Sequence, residues 1–269
     1  MLRAERQAKI LRMVHEQEFV QTDELARALG VSRVTIRRDL RSLSEQNLIR
    51  LDHGGSAAVD YLEGLNEPLY DTKVYLNHEQ KETIGAAAVA IIQDNDTVIL
   101  DSGTTNAQIA RHLRHSTLHS ITVITCDLMV AKILCPEPEI NVLVLGGILR
   151  HSYYSAYGPY TESILRNVKA NKFFLGIDAA SMENGISNIV LEEVPVKQLS
   201  MQASDRTIMV ADSTKLGHNA AYRVCGWDQI DEVITDTCVS PEIQQFLMRR
   251  GISCHVVAAS CENVVPEEE

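Results

Sequence analysis

Residues 32–43 constrain this chain more than any other stretch. Ser32 is a strong N-cap, so the spacing predicts a helix that starts there, with the hydroxyl covering a first-turn amide. Ile36, Leu40 and Leu43 recur at helical spacing and make one apolar stripe. Arg33, Arg37 and Arg41 follow at i, i+4 and i+8 as a second stripe, with Arg38 beside it. The apolar stripe would seat the helix on a core, and the arginine face would suit the major groove of DNA. An arginine run alone is more often a solvated helix face than a DNA contact, so the flanking residues decide.

Before the run, residues 3–17 place Ala4, Ile10, Leu11 and Val14 on one side of a first helix. Thr22 is read as the cap of a short second helix, Asp23 to Leu29, with acidic residues where the helix dipole favours them. Gly30 ends it, and only Gly30 and Val31 precede the Ser32 cap. Helix, tight glycine turn and helix make a helix-turn-helix. After the third helix, residues 48–51 alternate like a strand, 52–55 read as a turn, and 56–59 return as a second strand. That hairpin would be the wing of a winged helix. Charge agrees: residues 1–50 hold ten Lys/Arg against seven Asp/Glu, net +3, whereas the remaining 219 hold 15 against 29, net −14. A chain this acidic is repelled by DNA as a whole, so the basic sign must be concentrated at one end. The candidate DNA contacts are Thr22, Ser32, Arg33, Thr35, Arg37, Arg38, Arg41 and His53.

The run from Arg6 to Val59, centred on the residues from Thr35 to Leu40, resembles the DNA-binding domain of the DeoR family of bacterial transcription regulators.

The 269 residues divide on this reading into a winged helix-turn-helix (1–60), a linker without clear periodicity (61–77), an α/β domain (78–260) and an acidic tail (261–269). No apolar run is long enough to span a membrane and no signal-like segment opens the chain, so the expectation is a cytoplasmic protein without a membrane partner. The six cysteines form no Cys-x-x-Cys pair and read as reduced thiols. The histidines include no zinc-like spacing, and neither a metal nor a cofactor is expected.

From Lys81 onward, helical stretches alternate with short apolar strands at 97–100, 121–125, 142–145, 173–177, 207–211, 232–235 and 253–257. This pattern argues for a layered, mostly parallel α/β sheet, whose ligand crevice lies beyond the carboxyl ends of the strands. Asp101, Ser102, Gly103, Thr104 and Thr105 sit between a strand and a helix N-terminus, where free amides and the dipole attract an anion. Three more strand ends supply small and polar residues: Thr125 with Cys126 and Asp127, Gly146 and Gly147 with Arg150, and Asp212 to Lys215. Arg150 and Lys215 are the cations that a phosphate or sugar acid would require. Taken singly, the loop is as easily a tight turn, Lys215 a loop cap and Arg150 a solvated side chain.

Residues 81–236 are similar to the DeoR-family sensor domain, whose fold is like that of ribose-5-phosphate isomerase. The matching pieces include 101–105, Thr125, Gly146, Gly147, Gly158, 174–176, Asp178, Gly185, Lys197 and 211–217. The resemblance implies a winged helix-turn-helix joined to an isomerase-like α/β sensor, and adds Asp178 and Lys197 to the effector contacts. It also implies a repressor of a carbohydrate-catabolic operon. Such a protein would bind double-stranded operator DNA as a homodimer or homotetramer and respond to a phosphorylated sugar. The family commonly has Asn where Cys126 stands, so one polar ligand contact is in doubt. Two other readings stand beside it. One is a sugar-phosphate isomerase with an accessory DNA-binding domain, using Asp178, Glu192, Glu193 and Lys197. The other is a C-terminal domain that only oligomerises.

Overall fold

The computed structural model describes residues 1–52, 54–58 and 67–259. The chain divides into two compact units, Met1–Leu76 and Asn77 onward.

In the first unit, α1 (Arg3–Gln17) leads through β1 (Phe19–Gln21) into α2 (Thr22–Ala28) and then α3 (Arg33–Glu45). β2 (Ile49–Asp52) and β3 (Gly55–Ala58) form the hairpin, and β3 lies between β2 and β1 in an antiparallel sheet. Ile10, Leu11, Val14, Val20, Leu25, Ile36, Leu40, Leu43, Leu48 and Ile49 form one core, so the apolar stripe of α3 faces inward as its spacing requires. β1 has no counterpart in the sequence reading, because three residues are too few for alternation to register. Thr22 is not a cap: it is the first helical residue, buried, and its N–H donates to Gly54 O at 2.9 Å. Within the stretch read as a linker, α4 (Tyr70–Lys73) buries Tyr70 and Thr72 and packs on α1, and Leu76 joins the N-terminal core. A four-residue helix is too short for any periodicity to reveal. His53, Val59, residues 61–66 and the tail at 261–269 lie outside the described residues.

The second unit continues with α5 (His78–Ala90), β4 (Thr97–Leu100), α6 (Thr104–Arg114), β5 (Ile121–Thr125), α7 (Leu128–Leu134) and β6 (Ile140–Val144). A short ribbon, β7 (Ile148–Leu149) and β8 (Ala156–Tyr157), leads to α8 (Pro159–Leu165) and β9 (Ala170–Leu175). Then come β10 (Ala179–Ser181), β11 (Gly185–Asn188), α9 (Val194–Gln202), β12 (Ser204–Val210), β13 (Tyr222–Cys225), β14 (Glu232–Asp236), α10 (Pro241–Arg249) and β15 (Ser253–Val257). Seven strands make one sheet in the order β15-β14-β12-β9-β4-β5-β6, parallel throughout. These are the seven apolar segments expected from the sequence.

Period-two geometry sends successive side chains to opposite faces. Val98, Leu100, Phe174, Ile208, Val210 and Ile234 pack with Ile84, Ile109, Leu113, Val130 and Leu134 of α5, α6 and α7. Ile99, Phe173, Leu175, Met209 and Val233 face the other way, onto Leu165, Leu199, Ile243 and Leu247 of α8, α9 and α10. Burial on both faces explains why these strands read as continuous apolar runs. β10, β11 and β13 form a separate antiparallel sheet that the sequence did not announce, since β10 and β11 bury every residue and carry no alternation.

One expectation about the cysteines fails. Cys126, Cys135, Cys225 and Cys254 are free, but Cys238 is disulfide-bonded.

Candidate functional site

α3 starts as its sequence dictates. Ser32 Oγ accepts the Thr35 N–H at 3.2 Å and lies 3.0 Å from Thr35 Oγ1. Gly30 takes φ +63°, and Val31 N–H returns to Ala26 O at 3.1 Å, closing α2 in the glycine C-cap geometry. Asp39 was missed by the sequence reading: it is only 1 % exposed and is gripped by Arg6 at 2.6 and 3.4 Å, which ties α1 to α3. Its position, with Ile36 and Leu40 on the buried side, was the available signal.

Arg37, Arg38 and Arg41 are exposed. Arg33 is exposed too, but its guanidinium pairs with Asp23 of α2 at 2.6 Å. The exposed face of α3 therefore runs through Val34, Arg37, Arg38 and Arg41, at spacings of 3, 4 and 7 residues, with Arg33 at its edge.

The second constellation lies along the carboxyl edge of the seven-stranded sheet. Asp101, just past β4, is buried: Oδ2 accepts from Lys197 Nζ at 2.6 Å and Gly176 N–H at 3.1 Å, and Oδ1 from Ser102 N–H at 2.8 Å. Lys197 Nζ also donates to Gly176 O at 2.9 Å. Burial alone would lower the Lys197 pKa. The carboxylates of Asp101, Glu193 and Asp178 outweigh it and hold the pKa above the ordinary lysine value.

Asp127, past β5, caps α7 through Met129 and Val130 N–H at 2.7 and 3.1 Å, and its other oxygen takes the Gly103 N–H at 2.9 Å. Burial raises its pKa to about 6 against the opposing pull of these three N–H groups, with Asp101 adding to the rise. The Gly103 amide is thus engaged within the fold. The open amides lie one step on. The first helical bond of α6 runs from Ala107 N–H to Gly103 O, leaving the N–H groups of Thr104, Thr105 and Asn106 without partners among the described residues. Gly103 has φ +117°, and a Cβ placed there would meet nothing within 4 Å. Asn106 is fully buried, yet neither Oδ1 nor Nδ2 has a hydrogen-bond partner.

The remaining candidates sort clearly. Thr125 Oγ1 accepts the Asp127 N–H at 3.0 Å, orienting that turn. Gly147 is a packing residue, since a Cβ there would sit 2.4 Å from Tyr157 O, and Gly146 O accepts from Thr161 Oγ1 at 2.8 Å. Arg150, expected as a free cation, donates to Glu193 at 3.2 Å and stacks 3.6 Å over the Tyr153 ring. Asp178 Oδ2 accepts the Ile189 N–H at 2.9 Å. Asp212 accepts from Asn77 Nδ2 at 2.9 Å and from the Thr214 hydroxyl. Although burial would raise its pKa, Lys215 and Lys81 bring it below the usual carboxylate value. Lys215 is half-buried. Cys126 is buried, and its thiol is held well above the ordinary pKa by burial, then by the Asp101, Asp127 and Glu193 charges. Asn77, Lys81, Asn106 and Glu193 belong to this edge but were not proposed as effector contacts, because single polar residues on a helix or just before it carry no local pattern.

No helix among the described residues is long and apolar enough to cross a membrane. No group of three or more His, Cys, Asp or Glu among them is placed to hold a metal ion.

Comparison with known proteins matches residues 6–61 to the DeoR-like helix-turn-helix domain and residues 76–237 to the DeoR C-terminal sensor domain. A protein of Escherichia coli O157:H7, named for repression of the aga operon, is 32 % identical over 94 % of each chain. The glycerol-3-phosphate regulon repressor of Escherichia coli strain K12 is 31 % identical over 92 % of this chain and 96 % of its own. Among solved structures, ribose 5-phosphate isomerase A from Methanocaldococcus jannaschii aligns over 52 % of this chain and 55 % of its own, at 16 % identity and a TM-score of 0.39. With both family domains matched in order along most of its length, the chain belongs to the DeoR family of helix-turn-helix DNA-binding transcription regulators.

Proposed function

We propose that this protein is a cytoplasmic repressor of a carbohydrate-catabolic operon, working as a homodimer or homotetramer and switched by a phosphorylated sugar. On operator DNA, Arg37, Arg38 and Arg41 enter the groove, Arg33 flanks them, and Ser32 and Thr35 present the helix N-terminus to the backbone. In the sensor, the phosphate lies on the N–H groups of Thr104, Thr105 and Asn106 and the hydroxyls of Ser102, Thr104 and Thr105. The sugar hydroxyls extend toward Asp178, Lys197, Asp212 and Lys215. Asp101, Thr125, Gly146, Gly147 and Arg150 hold the frame.

One observation carries this reading: the first turn of α6 combines three open amides, open space at Gly103 and an unpartnered buried amide at Asn106. Amides at a helix N-terminus match an anion in both geometry and sign. The relative that represses a glycerol-3-phosphate regulon supports a small phosphorylated ligand.

The test is a thermal-shift screen of phosphorylated hexoses, pentoses and sugar acids, followed by operator titrations with the hit. A ligand at a hundred times its dissociation constant should stabilise the fold by about 2.7 kcal/mol. Gly103→Val should still bind operator but ignore the sugar, since the side chain fills the seat. A Gly103→Val protein that folds and responds normally would place the ligand elsewhere.

A further inference from the structure

Of the large apolar side chains exposed among the described residues, six gather at one end of the sheet: Leu128, Leu143, Val144, Ile148, Leu149 and Tyr160. β6 is the edge strand there, and the chain runs from it directly into the β7–β8 ribbon and then α8. Ile148 Cδ1 lies 3.6 Å from where a Cβ on Gly158 would stand, at the N-terminus of α8, and Tyr160 in that first turn is 78 % exposed. Folded proteins protect an edge strand with charge, proline or a bulge. This edge has none of the first two: from Ile140 to Leu149 there is no charged residue and no proline, in a chain of net charge −11.

We propose that this edge is where a second copy of the chain docks, β6 running antiparallel to its twin about a two-fold axis. A two-fold contact brings each patch against itself, and an uncharged patch spares two acidic chains the like-charge repulsion that the rest of their surface carries. An antiparallel pairing of identical strands satisfies the unpaired amides and carbonyls of both edges and covers Leu143, Val144, Ile148 and Leu149. The inference rests on the oligomeric part of the proposed function and supplies its surface.

Sedimentation of the full-length protein at micromolar concentration tests it. Wild type should sediment as a dimer or tetramer. Leu143→Arg and Ile148→Glu should each move the protein one association step down while the circular dichroism spectrum is retained. Met248→Glu, on a still more exposed apolar residue of α10, should leave the assembly unchanged. Variants that fold and stay associated as wild type would overturn the surface while leaving an oligomeric regulator intact. A monomeric wild type would overturn both.

A second observation stands independently. Val34 is 68 % exposed in the first turn of α3, at the N-terminal end of an arginine face, where no packing accounts for it. We infer that Val34 reads the 5-methyl group of a thymine, the apolar feature of the major groove, while the arginines handle acceptors and phosphates. This rests on α3 being the DNA-reading helix. Preferred duplexes selected from random DNA would be remade with deoxyuridine for thymidine, one position at a time. Wild type should lose about fourfold in affinity, the worth of one buried methyl, at one position per half-site. Val34→Asn, which puts a polar amide in that place, should not respond to that same replacement. Equal sensitivity in both proteins, or none in either, would overturn the assignment. Wild-type binding by Arg37→Ala would instead show that α3 is not the reading helix.

Discussion

The arginine face of α3 and the carboxyl edge of the sensor sheet are built in opposite ways. The face comes from eight consecutive positions, Val34 to Arg41, whose outward side chains are exposed and whose inward ones make the core. The crevice gathers residues from Asn77 to Lys215, most of them buried and bonded to one another. A face of exposed charges can change its target without disturbing the fold. A crevice of buried, interlocked charges cannot, because each partner removed leaves another uncompensated in a dry environment. On the proposed function, recognition and stability are separable in the first region and coupled in the second.

The largest effect should come from breaking the crevice. Lys197→Met leaves the Asp101 carboxylate buried beside Glu193 and Asp178 without its cation, and should destabilise the sensor by roughly 3–5 kcal/mol in chemical denaturation. A change below about 1 kcal/mol would show that the crevice is not interlocked, and the contrast would fall.

Next is the protonation of Asp127, whose pKa of about 6 lies above the 3.8 of a free aspartate. Between those values the folded protein keeps a proton that the unfolded chain has released. Its contribution to stability is therefore present below about pH 4, is lost as the pH rises to about 6, and is level above that. A shift of this size corresponds to on the order of 2–3 kcal/mol. Asp127→Asn should remove that slope, seen as the difference between the two proteins' melting temperatures across pH 4–7. Parallel curves would mean that Asp127 stays ionised and that the loop at Gly103 is fixed through the whole range.

On the face, Arg37→Ala and Arg38→Ala should each cost about 1–3 kcal/mol in operator affinity. Thermal stability should shift by less than about 0.5 kcal/mol, since both side chains are exposed. If either variant melts early, recognition and packing are not separate there. The smallest effect is expected from Ser32→Ala, which removes the bond to Thr35 N–H and should lower the stability of the helix-turn-helix by about 1 kcal/mol. An unchanged melting curve would mean that the helix start is held by its packing alone.

The sequence by itself determined much of what depends on near neighbours, though not the start of α2 at Thr22 or the short β1 and α4. Ser32 caps because its hydroxyl reaches an amide three residues on, Gly30 closes α2 because it tolerates φ +63°, and the stripe of Ile36, Leu40 and Leu43 fixes which side of α3 is buried. The seven parallel strands were legible for the same reason: each is a short apolar run in a fixed place along the chain. The tertiary structure alone decided who meets whom. It gave Asp101 to Lys197, 96 residues away, Arg150 to Glu193 and Asp39 to Arg6. It also handed the Gly103 amide to Asp127 and left those of Thr104, Thr105 and Asn106 open. A short segment's own geometry settles its caps and faces, whereas the pairing of a buried charge depends on where the folded sheet brings distant strand ends, and no local pattern records that distance.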